Sequence, residues 1–348
     1  MTSTSRDMRV AKLVELGKIE IGTVPIPTVG AGEILLATRA VGLCGTDVKA
    51  FRRGHPYFPP PCVLGHELVG VVRDVGSGVR AFSVGDRVVC APYVECGGCA
   101  TCRKGVGELC PHKAFVSGAL QEYVLVPADV VNRATFRVPE GISDDVATLA
   151  EPLACAVNGI ERADVRRGDS VLVVGGGPMG VLLALLAKAI TPRVLVSEIA
   201  APRAARLRTL GLAVADPAET PMGDSLAAAF GAPNADRVLI AVGVRDVAEA
   251  AIGWTAPGGT ALLFGGLAKG DRLSVDAFAI HYLEVSLVGS FGFRLEHFQT
   301  AVGWMTEHPH ALDGVVTASV PFRDAASAFA RAGEPDALKT VIRFDGTH

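Results

Sequence analysis

Charge of one sign is what this 348-residue chain has least to offer. Its 33 lysines and arginines stand against 36 aspartates and glutamates, a net charge of −3. No global field therefore draws it to nucleic acid or to an anionic membrane, and the short pairs Arg52-Arg53 and Arg166-Arg167 read as solvated loop charges. An apolar leader with a cleavage-like site is missing from Met1 to Val10, which argues for a cytoplasmic protein. Nor is there an unbroken apolar run of membrane length. The nearest approach, Ser170 to Ile190, carries GGGPMG at its centre, which would break a helix where lipid cannot satisfy the freed backbone groups. Internal repeats and low-complexity tracts are absent as well.

Eight cysteines would suit a small disulfide-stapled domain, but in a long chain without a leader clustered cysteines more often bind metal. Four of them, Cys96, Cys99, Cys102 and Cys110, are spaced C-x2-C-x2-C-x7-C. Four thiolates close a tetrahedral zinc shell and leave no room for substrate. An iron–sulfur run would have a last gap of three and a partner run elsewhere, so a structural zinc is favoured. The cluster has only Arg103 and Lys104 as basic neighbours, against a DNA-binding module. Cys62 and Cys90 flank apolar or strand-like segments and are expected to be buried thiols. A second set, Cys44, His66-Glu67 and Glu151, mixes thiolate, imidazole and carboxylate, and such a set can keep one coordination position open for chemistry.

The chain is long enough for two domains. Its first 150 residues hold short β-rich runs (33–38, 68–72, 85–89) punctuated by glycine, as in a closed or strongly curved antiparallel sheet. From Ala147 the texture changes to strands alternating with helices: Val171–Val174, helix Met179–Ile190, Val194–Val196, helix Ala201–Leu210, Arg237–Ala241, helix Asp246–Trp254, Thr260–Phe264 and Val285–Val288. That alternation predicts a parallel doubly wound sheet. After Phe291 come a helix at 295–306, a strand at 315–320 and a last helix and strand, too short to fold alone and so expected to complete the first domain. The boundaries expected are 1–150 with 291–348 for the metal-binding domain and 151–290 for the nucleotide domain.

Gly175, Gly177 and Gly180, with Pro178 and Met179 between them, form a G-x-G-x-x-G that follows a strand and opens a helix, the context a dinucleotide site requires. Gly175 permits the tight turn, Gly177 the approach of pyrophosphate, and Gly180 close helix–strand packing. Glu198, at the end of the next strand, can accept from both ribose hydroxyls and would repel a 2′-phosphate, which favours NAD. Arg203 could soften that preference, although an arginine on a helix face is the plainer reading.

With CGTD, GHELVG, VGDRV, the cysteine lobe, EPLACAVN and GGGPMG in order, the chain resembles the zinc-containing medium-chain dehydrogenase/reductase family, its sorbitol-dehydrogenase-like polyol branch in particular, over essentially its full length. The resemblance implies an α/β protein: a GroES-like catalytic domain and a Rossmann domain, with one catalytic and one structural zinc and with NAD. It implies that Cys44 and His66 bind the catalytic zinc, that Glu67 binds it directly, and that Glu151 is a fourth ligand or holds its water. Thr46 would take the alcohol proton, while Asp47 would orient its neighbours through hydrogen bonds. Lys49 stands where alcohol dehydrogenases often have a relay histidine. Ser290 and Phe291 would sit against the nicotinamide. A homodimer or homotetramer joined through strand edges near Val285–Val288 is implied too. The expected activity is reversible oxidation of a secondary alcohol in a polyol, sugar or cyclitol. The alternatives are an amino-alcohol dehydrogenase of the threonine type and a zinc-stabilised sensor that binds NAD without turnover. Phe51, His55, Tyr57, Phe293 and Arg294 are candidates for the substrate pocket.

Overall fold

The computed structural model describes residues 7–334 and 336–345. Its contacts divide the chain into two compact units, one running to Glu151 and resuming at Arg294, the other Pro152–Phe293.

The first unit is built on strand Ile34–Gly42, whose nine residues are all buried but one. Strand Glu67–Val75 pairs antiparallel along one of its edges. The other edge is shared: Tyr123–Val126 covers its first half and Lys339–Arg343 its last three residues. Arg87–Cys90 and Thr135–Arg137 extend the sheet on the Glu67–Val75 side, and Val316–Pro321 extends it on the other. The sheet is antiparallel as expected, and the returning tail adds one parallel pair to it. Val316–Pro321 and Lys339–Arg343 run parallel, because the helix Ala325–Arg331 between them makes a crossover where a tight turn would have reversed the chain. The hairpin Asp7–Glu15/Lys18–Pro25, with Cys62–Val63, forms a separate three-stranded sheet. Its outer strand is largely exposed, Ile21 included.

The second unit is a six-stranded parallel sheet in the order Ala213–Ala215, Val194–Ser197, Val171–Val174, Ala235–Ile240, Thr255–Leu263, Ser286–Gly289. Numbered along the chain this is 3-2-1-4-5-6, the dinucleotide-binding arrangement with its crevice outside the carboxyl ends of the strands. Val171–Val174 is buried throughout, as a central strand covered on both faces must be. Among the described residues no helix is long and apolar enough to cross a membrane; the apolar stretch from 170 resolves into that strand, a turn and helix Pro178–Ile190.

Candidate active site

Cys44 ends the connection from the central strand and caps helix Gly45–Arg53: its sulfur accepts from Thr46 N at 3.4 Å. Asp47, three residues on, returns the bond by accepting from Cys44 N at 3.2 Å. The same buried carboxylate accepts from Gly65 N at 3.1 Å and lies 3.4 Å from His66 Nδ1. Asp47 thus locks the loop carrying the cysteine to the loop carrying the histidine, the orienting role expected of it. Burial alone would raise its pKa, yet His66 and the two backbone donors hold it below the usual carboxylate range. For His66 burial opposes the charged form, but Asp47 and Cys44 outweigh it and raise the imidazole well above its ordinary value.

One ligand atom each from Cys44, His66 and Glu67 lies within 4.8 Å of the others. Glu67 is fully buried, and Lys339 Nζ sits 2.6 and 2.8 Å from its two oxygens while itself only 3% exposed. Gly42 makes this possible, for a Cβ there would come within 2.0 Å of Glu67 Oε2. Glu151 belongs to the same neighbourhood electrostatically. Burial, reinforced by Glu67 and Asp47 and opposed by His66 and Lys339, pushes it up to about 7. Lys339 is the residue that sequence reading missed. A lysine near the chain's end reads as a solvent-facing charge, and only the pairing of its strand with Ile34–Gly42 buries it.

Beside His66 a small cavity opens, lined by Leu68, Cys90, Pro92, Val116, Ser117 and Ala119. The pocket candidates proposed from sequence differ in burial and in partners. Phe293 is buried in the core, and the Arg294 guanidinium is committed to the carbonyl of Gly105. Phe51 too is buried, packed 5.4 Å from the Phe329 ring. His55 stacks near Tyr57 and Phe58, and Thr46 is half-buried with Lys49 exposed. Cys90 is the buried thiol expected, pushed by burial to about 12, while Cys62 is only half-buried.

The four clustered cysteines converge. Sulfur–sulfur separations are 3.4 Å for Cys99–Cys102, 3.5 Å for Cys96–Cys110, 3.7 Å for Cys99–Cys110 and 4.0 Å for Cys96–Cys102. A tetrahedron of ~2.3 Å zinc–sulfur bonds has edges of about 3.8 Å, whereas a disulfide would bring two sulfurs to about 2.05 Å. The donor set and its spacing therefore fit one tetrahedral ion.

In the parallel unit, Gly175 sits at φ 96°, and a Cβ on Gly180 would meet the Gly175 carbonyl at 1.8 Å. Gly176 is as constrained as Gly175: a Cβ there would lie 2.4 Å from Leu207. Gly177, by contrast, has nothing within 4 Å of that position, so open space faces the start of helix Pro178–Ile190, with Met179 in its first turn. Glu198 stands at the strand end as expected, with Gly176 N and Arg203 Nη1 donating to Oε2 at 2.9 and 3.2 Å and Ala200 N to Oε1 at 2.7 Å. Arg203 is thus no free helix-face charge; it folds back onto Glu198. Ser290 Oγ is buried with no protein hydrogen-bond partner, beside the exposed ring of Phe291. An orphaned hydroxyl, a turn crowded at Gly175, Gly176 and Gly180 and an open helix start together fit a dinucleotide.

Residues 30–137 match the alcohol dehydrogenase GroES-like domain, and residues 144–344 match the glucose dehydrogenase C-terminus. The chain belongs to the zinc-containing medium-chain dehydrogenase/reductase family. Its relatives within that family include the L-galactonate-5-dehydrogenase of Escherichia coli K12, 32% identical over 92% of this chain and 94% of that one. The D-altritol 5-dehydrogenase of Agrobacterium fabrum is 37% identical over 81% of this chain and 84% of its own. A Sinorhizobium meliloti protein described as a zinc-binding dehydrogenase, solved with NADP, superposes with a TM-score of 0.88 at 27% identity, covering 97% of this chain and 99% of that one. This family member is accordingly an alcohol or polyol dehydrogenase.

Proposed function

We propose that the enzyme reversibly oxidises a secondary alcohol of a polyol, sugar or cyclitol with NAD as hydride acceptor, using one catalytic and one structural zinc. The observation that carries this is the convergence of Cys44, His66 and Glu67 to within 4.8 Å, apart from a four-thiolate lobe that leaves no position for substrate. Cys44, His66 and one or both of Glu67 and Glu151 hold the catalytic ion, and Cys96, Cys99, Cys102 and Cys110 hold the other. When bound, zinc supplies a Lewis acid for the alcohol oxygen and NAD a hydride acceptor. The chain's own residues do the rest. Asp47 fixes the ring of His66 by accepting from Nδ1, as residues behind metal ligands do. Thr46 accepts the proton of the alcohol oxygen. Lys339 holds the Glu67 carboxylate in place by donating to both of its oxygens.

Gly175, Gly177 and Gly180 cradle the pyrophosphate, and Glu198 accepts from the ribose hydroxyls, each oxygen of an ionised carboxylate having capacity beyond the donors it already holds. Ser290 and Phe291 face the nicotinamide. A carboxylate at this point puts like charge beside a 2′-phosphate, which supports NAD over NADP; Arg203, held on Glu198, has part of its charge already balanced. The sheet of the second unit ends at Ser286–Gly289, with Phe278, Ile280 and Tyr282 exposed on the helix before it. An unpaired edge beside an apolar patch supports a homodimer or homotetramer.

Metal analysis together with initial rates on a panel of polyols, sugar acids and threonine tests the reading. Two zinc ions per chain and turnover of a polyol or sugar derivative with NAD are expected. One zinc ion, iron in its place, or threonine as the sole substrate would overturn it.

A further inference from the structure

Three arginines from three strands of the first unit converge on two aspartates of one short helix, Asp144–Ala147. Arg39, on the central strand, donates through Nε to Asp144 Oδ2 at 3.3 Å. Arg87, which opens strand Arg87–Cys90, brings its Nε within 3.1 Å of Asp144 Oδ1 and donates from Nη2 to the Ile142 carbonyl. Arg343, the last residue of the final strand, grips Asp145 as a fork, Nε to Oδ1 and Nη2 to Oδ2, each at 2.7 Å. An isolated surface ion pair contributes little, but a bidentate arginine on a buried carboxylate, inside a network of charges, is the exception. The stretch that follows is confined as well. Val146 N donates to Ser143 Oγ at 3.3 Å, Thr148 Oγ1 to the Asp145 carbonyl at 2.6 Å, and Leu149 N to the Val146 carbonyl at 3.0 Å. Ala147, Thr148, Leu149 and Ala150 are all buried. Glu151 comes next, in the first turn of helix Ala150–Ala163, where its carboxyl feels the charges of His66, Glu67, Lys339 and Asp47.

We propose that this arginine clamp is a positioning device for Glu151: by fixing the segment 142–150 it sets where the Glu151 carboxylate stands beside His66 and Glu67. This rests on the reading that Glu151 helps to hold the catalytic ion. Between Ser143 and Glu151 there is neither glycine nor proline, and the turns are closed by hydrogen bonds. A shift of the short helix is therefore carried on to Glu151, since no hinge lies between to absorb it. The final strand adds a second restraint. Lys339 donates to both oxygens of Glu67, and Arg343 lies four residues further along the same strand. One strand, held against Ala40–Gly42, thus locates both carboxylates of the site. A carboxylate fixed before the metal arrives binds it without paying to be ordered, and loosening its support lowers metal affinity. Arg39, Arg87, Arg343, Asp144 and Asp145 act here as positioning residues, working through Glu151 and not on the reacting atoms.

The test uses the full-length, zinc-loaded enzyme and its Asp145→Asn, Arg343→Ala and Arg343→Lys variants, with Glu151→Gln and the Asp145→Asn/Glu151→Gln double variant beside them. Zinc affinity at the Cys44 and His66 site is measured by competition with a chelator, and total zinc and the urea midpoint are followed in parallel. Asp145→Asn and Arg343→Ala are expected to keep the ion of the cysteine lobe while the Kd for the other zinc rises about tenfold. Arg343→Lys, which keeps a charged donor for Asp145, should lose less, and it serves if Arg343→Ala folds poorly. Because the clamp works through Glu151, Asp145→Asn should add nothing to the loss already caused by Glu151→Gln. Variants with a lowered urea midpoint but the parent's zinc affinity would mark a clamp that only stabilises the fold, and would overturn the proposal. Losses that add in the double variant would overturn it too. A Glu151→Gln enzyme that binds zinc as the parent does would instead sink the reading of Glu151 itself, and so separates the two failures.

Discussion

At the scale of single residues, the site sets one lowered group, Asp47, against two raised ones, His66 and Glu151. Glu151 is raised from 4.5 to about 7, mainly by burial, and His66 is raised well above 6.5. In the metal-free protein these two groups bind more protons folded than unfolded, so their contribution to stability falls as pH rises. The Glu151 contribution is lost between pH 4.5 and about 7, and that of His66, fully present below 6.5, is lost as pH climbs through its raised value. Metal binding requires the same groups deprotonated, so added zinc should reverse the trend. Melting curves of the chelated and zinc-loaded enzyme from pH 5 to 8 check this: Tm of the chelated form should drop across the range, and the gain on zinc addition should grow. Lys339 gives a second prediction. Replacing it by methionine strands a buried carboxylate, a change that costs about 3–5 kcal/mol and should show as a lower urea midpoint with an unchanged slope. The Lys339→Met/Glu67→Gln double variant should recover part of that loss.

At the scale of elements, the glycine turn separates two demands that sequence cannot tell apart. Gly180→Ala would force a methyl against the Gly175 carbonyl at 1.8 Å, so stability should fall by about 1–3 kcal/mol along with NADH affinity. Gly177→Ala meets open space at φ −66°. It should therefore leave the urea midpoint nearly unchanged while still weakening NADH titrations, because its methyl occupies the approach to the helix start. The central parallel strands were legible for a related reason: buried on both faces, Val171–Val174 and Val194–Ser197 read as nearly unbroken apolar runs. Strand Ala213–Ala215 was missed, since three small residues give no such run, as was helix Met222–Phe230, rich in alanine. Strand Thr255–Leu263 begins five residues earlier than its apolar core suggests, because Pro257-Gly258-Gly259 hides a register shift inside it. In the site, the residues within short motifs (Cys44, His66, Glu67, Glu198) could be named in advance. The contacts of Lys339, Asn158 and Arg294 could not, because their partners lie 272, 134 and 189 residues away and no local pattern encodes so distant a contact.

At the scale of the whole molecule, association is predicted to run through the free edge of the parallel sheet. Tyr282 is 69% exposed and Phe278 56%, their rings 4.9 Å apart. A Phe278→Glu/Tyr282→Glu variant should sediment as a smaller species than the parent at micromolar concentration while keeping its zinc. Parent protein that already sediments as a monomer would exclude this interface.

The position of strand Lys339–Arg343, inside the first unit's sheet and against Ala40–Gly42, sets an order of events during synthesis. At roughly 5–20 residues per second, about 15–60 s separate the emergence of Cys44 from that of Lys339. The unit Pro152–Phe293 is finished within that interval, while Ala40–Gly42 waits with an open edge and Glu67 waits without its counter-charge. The nascent first unit is consequently the stretch in need of chaperone protection, and premature termination anywhere before residue 339 leaves it unable to close, however complete its metal ligands are.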